Sequence, residues 1–198
     1  MTAGIRLRFS FPAFVVMTVV LSACASPDPR YYTLLPDVVA DSRTFLPTAP
    51  MLIEVAPVRV PEHLNRSNLA IGNGDGSFRL LEQARWGAPL PDALRDAISE
   101  RLQTDLSAID TYHQSMRDAK PRYRINIDVL QMSLEFDGRV DVRASWVVTR
   151  LADGKAAAGR TERRMRTPGG VAEMVAACRQ MIAGTATDVA ETLRSLKD

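Results

Sequence analysis

The stretch Tyr123–Val148, YRINIDVLQMSLEFDGRVDVRASWVV, decides the fold. Tyr123, Ile125, Ile127 and Val129 are apolar at every second position, with Arg124, Asn126 and Asp128 between them. A period of two puts one set of side chains on a buried sheet face and the other in water. The phase then slips to Leu130, Met132, Leu134 and Phe136, which predicts a bulge or a strong twist. Asp137-Gly138 supplies hairpin-turn chemistry, because both residues tolerate positive φ. Val140, Val142, Ala144, Trp146 and Val148 alternate on the return. The stretch therefore reads as a long antiparallel hairpin with one face turned to a core.

Downstream, Asp153-Gly154 marks a second hairpin into the polar strand Lys155–Arg166, suited to an edge or a half-exposed place. Thr167-Pro168-Gly169-Gly170 stops that strand. Val171, Met174, Val175, Cys178, Ile182, Ala186, Val189, Leu193 and Leu196 then recur at helical spacing, with Gly184 inside the stripe as a mark of close packing.

Upstream, Leu90, Leu94, Ile98, Leu102, Leu106 and Ile109 form the stripe of another helix, with Asp92, Arg95, Asp96, Glu100 and Arg101 on its other face. Pro91 and Asp92 suit its first turn. Met51–Val60 alternates like a strand, and Pro57, lacking a donor, implies an edge or a bulge there. Leu69–Ile71 and Phe78–Leu81 are short strands around Gly72-Asn73-Gly74-Asp75-Gly76. Tyr31–Leu35 is a first strand, and Asp37–Pro50 reads as a loop. Strands and helices in separate runs give an α+β domain: a largely antiparallel sheet of about six to seven strands, with two main helices packed on one face.

The N-terminus has a different character. Arg6 and Arg8 precede an apolar run from Phe9 to Leu21. That run is shorter than the ~20 residues a spanning helix needs, and it fits the apolar region of a signal peptide. Leu21-Ser22-Ala23-Cys24 follows with the pattern of a bacterial lipobox, which predicts cleavage between Ala23 and Cys24 and lipidation of Cys24. Residues 1–23 are then a lipoprotein signal peptide, 24–30 a lipid-anchored tether and 31–198 a single periplasmic domain. The tether reaches at most about 20 Å. Ala25 follows the Cys where an Asp would favour retention in the inner membrane, so the outer membrane is the expected location.

Composition bounds the rest. The chain has 198 residues, 46% of them hydrophobic, with two Cys and two His. This excludes a collagen, a disulfide-stapled miniprotein and a disordered tail. With Cys24 acylated, only Cys178 remains and no intrachain disulfide forms. Cys178 lies on an apolar stripe, as a buried structural thiol does. His63 and His113 have no ligand-spaced neighbours, no phosphate loop or calcium loop follows the glycine run, and no nucleophile–base motif is visible. No enzyme, metal or cofactor is expected.

The net charge of +2 comes from Arg6 and Arg8, so the mature chain is balanced at 23 basic and 23 acidic residues. That removes the case for a nucleic-acid partner. The balance is uneven, however: residues 24–110 carry 8 basic and 12 acidic residues, and residues 111–198 carry 15 and 11. Lys120, Arg122 and Arg124 form one basic cluster, and Arg160, Arg163, Arg164 and Arg166 another. They read as a patch for anionic headgroups or an acidic partner, as a solvated strand face, or as half of a head-to-tail self-association.

Four features in order carry a resemblance. They are the lipobox, Tyr31-Tyr32-Thr33-Leu34, the segment Val58-Arg59-Val60-Pro61 with Leu64-Asn65-Arg66, and Arg85-Trp86-Gly87-Ala88-Pro89-Leu90. Together they resemble the ABC-type transport auxiliary lipoproteins of the PqiC-like group, over about residues 31–196. Gly87 and Ala88 stand where the family often has an acidic residue, so no charged role is assigned to that loop. The resemblance implies a non-enzymatic, periplasm-facing lipoprotein serving a mammalian-cell-entry (MCE) type transporter. Its implied partners are the periplasmic MCE protein and the ABC permease and ATPase, and its implied cargo is lipid or another hydrophobic solute. A homo-oligomer would suit a tubular assembly. Tyr32, Arg85 and Trp86 are candidate anchors, either packing the strand-to-helix corner or meeting a partner. A direct lipid carrier and a structural lipoprotein of another envelope assembly are the alternative functions.

Overall fold

The computed structural model describes residues 28–36, 48–112 and 119–196. The signal segment, Ala23, Cys24, residues 37–47 of the expected loop and His113 lie outside them. The described elements run β1 (Arg30–Tyr32), β2 (Met51–Val55), β3 (Asn68–Gly72), β4 (Phe78–Trp86), α1 (Leu90–Leu106), β5 (Ala108–Asp110), β6 (Tyr123–Leu134), β7 (Arg139–Arg150), β8 (Ala156–Arg166) and α2 (Val171–Ser195). The class is α+β.

The strands form two sheets, ordered β1-β4-β3 and β5-β2-β6-β7-β8. The expected single, largely antiparallel sheet is thus two mixed ones. β3–β4, β6–β7 and β7–β8 are antiparallel, while β1–β4, β2–β5 and β2–β6 are parallel. Hairpins announce themselves in local turn residues. Parallel pairs join segments far apart in the chain, and side-chain alternation carries no sign of a neighbour's direction.

The β6–β7 hairpin is the centre of the larger sheet. Odd positions up to Val129 are buried, and Met132 and Leu134 are buried beyond the slip. The register shifts between Val129 and Gln131, so Leu130 is the extra residue and lies exposed. Phe136, expected to continue the apolar phase, is also exposed, beyond the strand end. Gly138 turns the hairpin at φ 81°.

β2 is interior, so Pro57 marks a bulge and not an edge. Ala56 N donates to Ile125 O and Arg59 N to Ile127 O, which sets three residues on this strand against two on β6. β8 is the edge strand anticipated from its polarity.

Both helices pack on one face of the larger sheet, α1 over β2 and β5, and α2 over β7 and β8. α2 buries more than its stripe, adding Ala177, Met181, Thr185 and Ala190, because it also packs against α1. The smaller sheet meets the end of β6 through a bridge between Gly72 and Glu135. One core cluster joins both sheets and both helices, from Leu69 and Trp86 to Ile125, Val142, Ile98 and Val189.

α1 ends three residues earlier than its apolar spacing predicts. Ser107 takes a left-handed conformation at φ 49°, and Ile109 belongs to β5. This changes the place of Arg95, expected on the solvated face. Arg95 is buried, and its guanidinium pairs with the buried carboxylate of Asp110. Ser99 Oγ donates to the same carboxylate at 2.6 Å, and Val55 N and Tyr112 N donate to its other oxygen at 3.2 and 3.1 Å. The pair pins α1 to β2 and β5.

Candidate functional site

The corner between β4 and α1 gathers one group of the singled-out residues. Tyr32 and Trp86 are register partners in the parallel β1–β4 pair. Gly87 N donates to Tyr32 O at 2.8 Å, and Trp86 N to Ser67 O at 2.7 Å. Trp86 is only 6% exposed. With Leu64, Leu90, Met132 and Leu134 it lines a gap of about 10 Å³, too small for a side chain. The indole therefore fills the corner and has little surface to offer a partner. Tyr32 and Arg85 are half-buried, and Arg85 Nε has no hydrogen-bond partner among the described residues.

The basic residues separate by strand parity. On β8, Arg160, Arg164 and Arg166 point away from the helices, and Arg163 points under α2. Arg163 donates to Asp188 at 2.7 Å and to Gly184 O at 3.1 Å. A Cβ at Gly184 would lie 2.8 Å from its Cζ, which is the close packing that the glycine in the stripe implied. Arg124 forks onto Glu54 with both contacts at 3.1 Å, Arg164 pairs with Asp141, and Arg166 reaches Asp137 at 3.2 Å. Arg122 stacks over the ring of Tyr123. Lys120, Arg122 and Arg124 line a shallow hollow with Glu54, Pro121 and Leu151 at one end of the larger sheet.

Reading clusters along the chain missed the spatial extent of this face. Arg59 pairs with Asp128 and Arg143 with Gln131 on the same side of the larger sheet. Their strand parity was legible; which strands adjoin was not. The result is a sheet face rich in arginines that no described element covers, most of the arginines being paired with carboxylates. Such a face offers a charge pattern to whatever it meets.

Cys178 is fully buried on α2, and burial pushes its thiol up to about 12. Among the described residues no group of His, Cys, Asp and Glu could hold a metal ion. A cleft of about 690 Å³ lies between β1, β4 and the start of α2, and is bordered by Asp28, Arg30, Glu82 and Glu173. No described helix is long and apolar enough to cross a membrane.

A family model described as the ABC-type transport auxiliary lipoprotein component matches residues 32–190. The chain belongs to this family. Intermembrane transport lipoprotein PqiC of Escherichia coli is 24% identical over 129 residues, covering 65% of this chain and 68% of that protein. A crystal structure of an uncharacterized protein superposes with a TM-score of 0.68 at 20% identity, over 84% of this chain and 99% of that one. Protein XCC0632 of Xanthomonas campestris gives 0.61 at 16% identity, over 81% and 92%. The two solved structures share the fold of this auxiliary lipoprotein over most of its length.

Proposed function

We propose that this auxiliary lipoprotein is held at the outer membrane by an acylated Cys24, faces the periplasm, and docks a periplasmic MCE-type protein so that lipid or another hydrophobic solute crosses the envelope. The carrying observation is the family match over residues 32–190, directly downstream of a lipobox at Leu21–Cys24. Each buried acyl CH₂ adds about 0.8 kcal/mol, so multiple chains on one Cys make a durable anchor. The arginine face of the larger sheet, with Arg124, Arg160, Arg164 and Arg166, supplies the charge pattern for an acidic partner, and Lys120 and Arg122 extend it at one end. Recognition is by protein surfaces without cofactor or catalysis, and symmetric self-association would suit a tubular partner. A carrier holding lipid between helix and sheet is disfavoured, because Ile125, Val142, Cys178 and Val189 fill that space.

Cys24→Ser tests the anchor. The variant should lose the acyl mass on its N-terminal residue and leave the outer-membrane fraction, and transport should fall with it. A variant that still pellets with outer membranes and supports transport overturns the reading. Co-purification of an MCE protein with the wild type, and of its permease and ATPase with that protein, tests the partner set.

A further inference from the structure

We infer that the end of the domain formed by the β3–β4 turn and the β6–β7 turn rests in the headgroup region of the bilayer that holds Cys24. This deepens the anchoring reading and rests on it. The two turns are joined: Phe136 N donates to Gly72 O at 3.0 Å, and Gly72 bridges Glu135. A Cβ at Gly72 would lie 2.5 Å from Glu135 Oε2, so the Glu135 carboxylate folds over the glycine. The joined end exposes Phe78 (46%), Leu80 (40%) and Phe136 (65%). The Arg79 guanidinium lies 4.9 Å above the Phe136 ring, and the His63 ring lies 5.9 Å from that of Phe78. Aromatic rings flanked by a cation with an apolar stem suit a membrane–water interface. Two of the acidic groups at this end are engaged, Asp75 accepting from Ser77 N and Oγ at 2.9 and 2.6 Å and Asp137 from Arg166 at 3.2 Å, while Glu135 Oε2 is buried against Gly72 without a hydrogen-bond partner among the described residues.

Chain direction selects a bilayer over a protein as the occupant. β1 runs parallel to β4 with Arg30 opposite Ala84, so the chain entering Arg30 comes from the Phe78 end. Asp28 and Arg30 border the same cleft as Leu81, Glu82 and Gln83, which fits that direction. Phe78 lies six residues before Ala84, about 20 Å along a strand. Residues 24–29 span at most about 20 Å. A Cys24 fixed in the bilayer therefore holds Arg30 within about 20 Å of it, a distance that brings the Phe78 end into reach of the headgroups.

The test uses the acylated full-length mature protein in phosphatidylethanolamine–phosphatidylglycerol vesicles with brominated acyl chains. Phe136→Trp adds a fluorophore at this end, and Leu151→Trp adds one at the opposite end of the β6–β7 hairpin. Emission of the parent, with Trp86 and Trp146 buried, is subtracted. The Phe136→Trp signal should fall at least about twofold relative to unbrominated vesicles, as for an interfacial ring, and the Leu151→Trp signal should not change. An unquenched Phe136→Trp, or equal quenching at both ends, overturns the orientation while mass spectrometry of the same sample still shows acyl chains on Cys24. Absence of those chains overturns the anchoring reading itself, and the orientation with it.

Discussion

Cys178 shows how one side chain takes its chemistry from its surroundings. Its sulfur lies on the buried stripe of α2, so ionisation would place a charge in the core, and the thiol is pushed up to about 12. A folded-state value raised above the unfolded one stabilises the fold fully below the unfolded value near 9. That contribution is lost as pH climbs towards 12. Native protein at pH 8 should therefore resist alkylation by iodoacetamide at Cys178, with full labelling only after unfolding in urea. Peptide mass spectrometry reads the difference, and rapid native labelling would contradict the packing. Burial here was legible in the sequence, because the helical period alone places residue 178 on the apolar face.

At the scale of elements, the junction of α1 and β5 is the informative case. The helical spacing put Ile109 on α1 and Arg95 in water, and both readings fail for one reason. The left-handed Ser107 ends the helix and sends the chain back as β5, which carries Asp110 under Arg95. Asp110→Ala removes the buried partner of Arg95, which keeps only the half-exposed Asp96 at 2.8 Å, and the acceptor of Ser99, Val55 N and Tyr112 N, so it should cost about 3 kcal/mol of unfolding free energy. The double replacement Arg95→Met with Asp110→Leu should recover part of that loss, since no unpaired charge stays buried although Val55 N and Ser99 Oγ still lack their acceptor. Urea titrations of the three proteins decide it; a mild single variant would mean that the pair is not a clasp. Elements with local punctuation fared better. Asp137-Gly138, Asp153-Gly154 and the glycine run at 72–76 fall at turns, and the phase slip at Leu130 falls at a bulge.

Across the whole molecule, the two sheets share a single core. Trp86 belongs to the smaller sheet and Trp146 to the larger, yet both lie in the same buried cluster with residues of both helices. The sheets should therefore unfold together. Trp86→Phe and Trp146→Phe each leave one reporter, and the two reporters should give coincident urea transitions once each variant's own stability loss, read by circular dichroism, is allowed for. Separated fluorescence and circular dichroism transitions within either variant would mean two independent units. The same architecture gives each surface its own character. The helices cover one face of the larger sheet, its other face keeps the arginines, and the joined turns form an aromatic end.

The sequence by itself determined the α+β class, both helices, the β6–β7 hairpin with its bulge, and the lipobox pattern before the domain. Each is written in local periods and turn residues, which act over a few positions. Only the tertiary structure decided that β2 lies between β5 and β6, that Arg95 is buried, that Arg163 parts from Arg160, Arg164 and Arg166, and that Arg79 stacks over Phe136. These depend on which distant segments become neighbours, and that choice is settled by the collective burial of one core, not by any short stretch of chain.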